Sequence, residues 1–218
     1  AKKVLQTPER PFTSIMCGAK VSDKILIIEK MLDVADNIII GGGMSYTFVK
    51  ALGGEIGMSL CENDKLDLAL ELIKKAEDKG VKLIFPDDTL CGNDFSNDSD
   101  TKLVKRGHIP SDWEGMDIGP ESTKKFAEVI KNSKTVLWNG PMGVSEFSKF
   151  ANGTIGVAHA VKDATNGGSY SLIGGGDSAA AINNLGFGND VSYVSTGGGA
   201  LLEYMEGKAL PGVAALEA

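Results

Sequence analysis

Two lysines and one aspartate stand where short apolar runs give way to helical patterns, and together they could handle a phosphate chain. Lys20 and Lys24 follow the run 12–16 in FTSIMCGAKVSDK. They are four residues apart and share one helix face if Val21 opens the helix. Two cations at a turn suit a polyphosphate, the favoured reading, with solvent exposure or pairing with a surface acid as the competing one. Asp177 follows three glycines in IGGGDSAAA. An acid at a helix start is commonly only a partner for the helix dipole. Beside a phosphate, a bare carboxylate would repel the ligand unless a cation came between, which makes Asp177 a natural Mg²⁺ anchor. Both readings stand on these residues alone.

The backbone around them is rich in glycine. Three times an apolar strand pattern runs into three glycines and then a helical pattern: NIIIGGGMSYTF at Gly41, Gly42 and Gly43, YSLIGGGDSAAA at Gly174, Gly175 and Gly176, and SYVSTGGGALLE at Gly197, Gly198 and Gly199. SIMCGAK at Gly18 and VLWNGPMG at Gly140 and Gly143 repeat the theme. A tight strand-to-helix turn needs positive φ, which accounts for one glycine per turn and leaves the triplets unexplained. Missing Cβ atoms let a ligand touch backbone, and the next helix N-terminus offers free N–H groups to an anion. Phosphate-ligand binding along one sheet edge is the favoured reading and purely structural turns the competing one. GxxxxGK[ST] is absent, which excludes a Walker-A site. Gly174, Gly176 and Ala179 spell GxGxxA, so a dinucleotide-dependent dehydrogenase remains an alternative; the next acid, Asp190, comes too early for its ribose contact.

The elements needed to position these residues are legible in the periodicity. Short apolar runs at 12–16, 37–40, 82–85, 135–138, 169–173 and 191–194 read as strands. Amphipathic stretches at 23–34, 44–52, 63–79, 120–132, 153–165, 177–184 and 200–207 read as helices. Alternation of this kind predicts an α/β domain of three layers, Rossmann-like, with a six-stranded, mostly parallel sheet and helices on both faces. The segment 87–117, with its acidic run CGNDFSNDSDTK, reads as a surface excursion or small hairpin within one domain.

The chain has 218 residues, 22 Lys and Arg against 29 Asp and Glu, and a net charge of −7. That balance argues against nucleic-acid and anionic-membrane partners. The 28 glycines are nearly twice the usual share of about 7%. Cys17, Cys61 and Cys91 form no CxxC or Cys/His cluster, which suggests a reduced, cytoplasmic setting. The start AKKVLQTPERPF lacks the apolar core of a signal peptide. His108, in a polar stretch, and His159, in a helical pattern, read as structural.

RPFTSIMCGAKVSDKI, IIIGGGMSYTF, DIGPEST, VLWNGPMGVSEF, IGGGDSAAA and VSTGGGALLEYMEGKALPGV together resemble, colinearly over almost the whole chain, the C-terminal, nucleotide-binding half of phosphoglycerate kinase. The resemblance implies ATP or ADP as substrate, Mg²⁺ as cofactor, and phosphoryl transfer between ATP and 3-phosphoglycerate in glycolysis. It implies that Lys20 follows the moving phosphoryl group, Lys24 the α-phosphate, and that Gly43 and Gly115 lie against adenine. Asn139, Pro141 and Glu146 resemble the WNGP and ribose positions, and Asp177 and Ser178 the Mg²⁺ and phosphate contacts. Ala19, Gly42, Gly140, Met142, Gly175 and Gly176 complete the implied nucleotide site, and Gly197, Gly198 and Gly199 resemble the helix N-terminus facing the transferred group. Three positions depart from the family: Cys17 in place of Gly, which adds a side chain beside the phosphate path; Ser145 where an aromatic is common; and Ser178 for the frequent Thr, keeping the hydroxyl. Residues 1–218 match the second half only, so the phosphoglycerate-binding N-terminal domain is expected to be absent and the isolated domain inactive.

Overall fold

The computed structural model describes residues 7–195. Six strands form one wholly parallel sheet: β1 (Phe12–Cys17), β2 (Asn37–Gly41), β4 (Lys82–Ile84), β9 (Thr135–Asn139), β10 (Tyr170–Gly174) and β11 (Tyr193–Ser195). Their order is β11-β10-β9-β1-β2-β4. Counting only these six, that is the doubly wound order 3-2-1-4-5-6, whose ligand crevice opens where the chain changes direction. Here that point lies between the carboxyl ends of β1 and β9.

Strand alternation decides which residues face which helices. On one face Phe12, Met16, Ile38, Ile40, Leu137 and Leu172 pack with α1 (Val21–Val34), α2 (Met44–Ala51) and α3 (Leu66–Lys79). On the other, Ile15, Ile39, Val136, Trp138 and Ile173 pack with α4 (Pro120–Lys131), α5 (Asn152–Asn166) and α6 (Gly176–Asn184). Both layers bury runs of Ile, Val and Leu, as a parallel sheet covered on both faces requires. The three-layer α/β reading is therefore correct.

Element boundaries differ from the periodicity by one to three residues at most sites. The stretch 63–79 is not one helix: a 3-10 turn, Asn63–Lys65, precedes α3. The last strand begins at Tyr193 and not at 191. The helix expected at 200–207 lies outside the described residues.

The segment 87–117 is more than a surface hairpin. It builds an antiparallel three-stranded sheet, with β5 (Asp88–Gly92) between β6 (Thr101–Lys105) and β8 (Glu114–Ile118). His108, in its polar stretch of sequence, sits in β7 (His108–Ile109), paired with β3 (Glu55–Ile56). Only residues 93–100, the acidic run, behave as a hairpin loop, organised by Ser99 Oγ, which accepts from the N–H groups of Asn93 and Asp94. Asp88 is buried because its carboxylate accepts from the Glu121 and Ser122 N–H groups at the start of α4. Strand β8 is pinned to the main domain on two sides. Gly115 N–H donates to Ser59 Oγ, and Val144 N–H donates to Met116 O. His159 packs edge-on against Phe187, a structural role.

Candidate functional site

The strand-to-helix turns meet above the β1/β9 switch point. Turn 18–20 joins β1 to α1 and touches turn 41–43, because Met44 N–H donates to Gly18 O at 2.8 Å. Within the triplet 41–43 only Gly42 has positive φ (71°), and a Cβ there would press on Gly18 backbone. In the second triplet only Gly175 does (φ 100°), while Gly176 faces open space. One glycine in each of these two triplets therefore serves the turn, while a Cβ at Gly41 would strike the Met142 and Cys17 side chains and one at Gly43 would crowd Leu60 and the Ala19 backbone.

Lys20 occupies the N-cap position of α1 with extended backbone and an exposed side chain. Lys24, one turn on, is half-buried and donates from Nζ to Asn139 Oδ1 at 2.7 Å. Asn139 in turn donates from Nδ2 to Gly174 O at 2.8 Å. The amide thus links α1, β9 and β10. Gly140 N–H donates to the buried Ser178 Oγ at 2.6 Å, and Trp138 Nε1–H donates to Gly140 O at 2.7 Å. Turn 139–142 is held from two sides before any ligand arrives.

A cleft of about 450 Å³ opens over these turns. Ala19, Gly42, Gly43, Gly115, Pro141, Met142 and Asp177 all line it. An adjoining lobe of about 600 Å³ shares Pro141 and Asp177 and adds Ser145 and Glu146. Asn139, Gly140 and Ser178 are tied to its turns through the bonds above, Gly175 lies against the Asn139 amide, Gly176 precedes Asp177, and Lys20 and Lys24 are not among the lining residues of either lobe. Gly197, Gly198 and Gly199 lie outside the described residues.

Sequence reasoning missed several wall residues: Tyr46, Leu60, Phe95, Glu114, Met116 and Val144. Tyr46 was within reach, since it lies one turn into the helix that follows the first triplet. Phe95 and Glu114 were not, because they arrive from the excursion. Glu62 was missed too. Its carboxylate accepts from Ser22 N–H at 3.1 Å and Ser22 O–H at 2.6 Å, capping the first turn of α1.

Cys17 does not add a side chain to the phosphate path. It is buried with Sγ 3.7 Å from Met142 Sδ, and burial pushes its thiol up to about 12, so it is an inert packing group. Beneath the cleft, Asp117 is buried and accepts from Ile118 N–H at 2.8 Å and Gly153 N–H at 3.0 Å. Burial outweighs these bonds and pushes its carboxyl up to about 7. Among the described residues no group of three His, Cys, Asp or Glu could hold a metal by itself. The exposed Asp177 fits an ion that takes one carboxylate and completes its shell with phosphate oxygens and water.

Residues 1–208 match the family model described as phosphoglycerate kinase. The chain belongs to the phosphoglycerate kinase family. The phosphoglycerate kinase of Coxiella burnetii is 39% identical with a TM-score of 0.92, the match covering 98% of this chain and 54% of that one. The phosphoglycerate kinase of Pyrococcus horikoshii OT3 is 27% identical with a TM-score of 0.81, covering 99% and 54%. The chain therefore spans about half the length of these family members. Among the described residues no helix is long and apolar enough to cross a membrane.

Proposed function

We propose that this chain is the nucleotide-binding, C-terminal half of a phosphoglycerate kinase, binding ATP or ADP with Mg²⁺ at the switch-point cleft. The observation that carries the reading is that Asp177 and the glycine turns at Gly18, Gly42, Gly43 and Gly143 line one cleft, with Lys20 and Lys24 at the start of the helix that leaves the first of those turns, within this family's fold. Adenine would lie against Gly43 and Gly115, ribose near Pro141 and Glu146, and the phosphates along the starts of α1 and α6. Lys24, already oriented by Asn139, would hold the α-phosphate. Lys20, exposed and held by an extended backbone, would track the phosphoryl group as it moves.

The reaction would be in-line transfer between ATP and the carboxylate of 3-phosphoglycerate. The protein would contribute position and charge neutralisation, with no covalent intermediate. Asp177 and the nucleotide phosphates would hold Mg²⁺, which supplies charge neutralisation at the transferring phosphoryl oxygens. The acceptor would come from a second, phosphoglycerate-binding domain that must close over this one. The 218 residues alone are therefore expected to bind nucleotide without turning over 3-phosphoglycerate.

Calorimetric titration with ADP, with and without Mg²⁺, tests the reading. Binding should tighten with Mg²⁺, and Asp177→Ala should remove that gain while leaving Mg²⁺-free affinity within about twofold. Binding of NAD without binding of ADP would overturn it.

A further inference from the structure

The walls of the cleft are mostly apolar. Leu60, Phe95, Met116 and Val144 give apolar contact but no direction, and shape alone discriminates poorly between similar bases. Glu114 breaks that pattern, as do the Tyr46 hydroxyl and Asp177. Glu114 stands in β8 in the cleft wall, next to Gly115, with its side chain half-buried.

Its carboxylate is out of balance. Oε1 is shut off from water and has no hydrogen-bond donor among the described residues. Burial, and after it the like charge of Asp94, holds the carboxyl above the usual range. Lys102 sits over the ring of Trp113, the residue preceding Glu114, at 4.8 Å. A sealed acceptor without a donor is costly, and such groups in native proteins call for a partner. The terminal torsion of a Glu is soft, so an oxygen can turn toward the cleft at little cost. A ligand carrying an N–H would then supply what the protein does not.

We propose that Glu114 is a base-selecting residue, accepting a hydrogen bond from the exocyclic amine of a purine bound in this cleft. The inference rests on the nucleotide reading above and deepens it, by giving the mostly apolar slot a directional contact for the base. A site that pairs with a substrate N–H rejects the analogue lacking it, because the protein group is then left unpaired in the closed complex.

The test compares ADP with purine riboside 5′-diphosphate, which has hydrogen in place of the amine, by calorimetry on the 218-residue chain. The wild-type chain should prefer ADP by about tenfold. Glu114→Met and Glu114→Ala should bring the two ligands to within about twofold of each other, whereas Glu114→Gln, which keeps a carbonyl acceptor, should retain most of the preference. Asp177→Ala serves as a control that weakens both ligands alike through their phosphates. A wild-type preference that survives both truncations, or no wild-type preference, would overturn the inference and leave the nucleotide reading standing. Failure of the wild-type chain to bind ADP would overturn the nucleotide reading, and this inference with it.

Discussion

Lys24 Nζ and Asn139 Oδ1 lie 2.7 Å apart, joining the first helix to the end of the strand on the far side of the switch point. Asn139 is fixed in that orientation because its amide nitrogen donates to Gly174 O. The cation is therefore aimed before nucleotide binds. Lys24→Met should lower ADP affinity about tenfold, less at high salt. Asn139→Ala should lose part of the same affinity and cost about 1–2 kcal/mol of stability by leaving Gly174 O unpaired. Because both act through one bond, the double variant should lose less affinity than the sum of the singles, which a calorimetric double-mutant cycle reads directly.

Lys20 has a different expected signature. It stands at the N-cap position of α1 with no side-chain cap bond and an exposed side chain. In an enzyme that also carries a phosphoglycerate-binding half, Lys20→Ala should reduce kcat by about 100-fold or more while changing nucleotide affinity only a few-fold. Steady-state kinetics beside equilibrium titration separate the two effects. Equal losses would assign Lys20 to ground-state binding.

Ser178 is buried, and its hydroxyl oxygen takes the Gly140 N–H at 2.6 Å. Ser178→Ala strands that donor and should cost about 1–3 kcal/mol in urea unfolding. It should also weaken ADP binding by loosening the turn that carries Pro141. Ser178→Thr keeps the hydroxyl and should recover the affinity.

Asp117 sets a pH dependence of stability. Its carboxyl is pushed up by burial to about 7, above the roughly 3.9 of an unfolded chain. Between those values the folded protein holds a proton that the unfolded chain releases. Stability through this group therefore falls as pH rises from about 4 to about 7 and is level outside that window. Asp117→Asn cannot ionise and loses one of the two backbone acceptor contacts, so it should be less stable than wild type at pH 5, with the gap narrowing by pH 7.5. Urea denaturation at the two pH values checks this, and a gap that stays constant would mean that Asp117 is held ionised.

The alternation of apolar runs with amphipathic stretches was enough to predict six parallel strands under two helical layers, because side-chain period follows backbone geometry directly. The glycine triplets, Lys20, Lys24 and Asp177 were legible for the same local reason: each sits within a few residues of a strand end, and in a doubly wound sheet all strand ends of that kind share one edge. Tertiary structure decided the rest. No local signal says that Lys24 meets Asn139, 115 residues away, or that Ser178 seats Gly140. The excursion 87–117 shows the limit most plainly. Its polar composition reads as surface, and much of it is; yet β8 pairs across β5, hangs from Ser59, supports Val144, and so delivers Glu114, Gly115 and Met116 to the cleft. Periodicity records which face of an element is apolar, whereas the contents of a cleft depend on long-range pairings whose partners are separated by whole elements, and no single stretch of sequence carries both sides of such a contact.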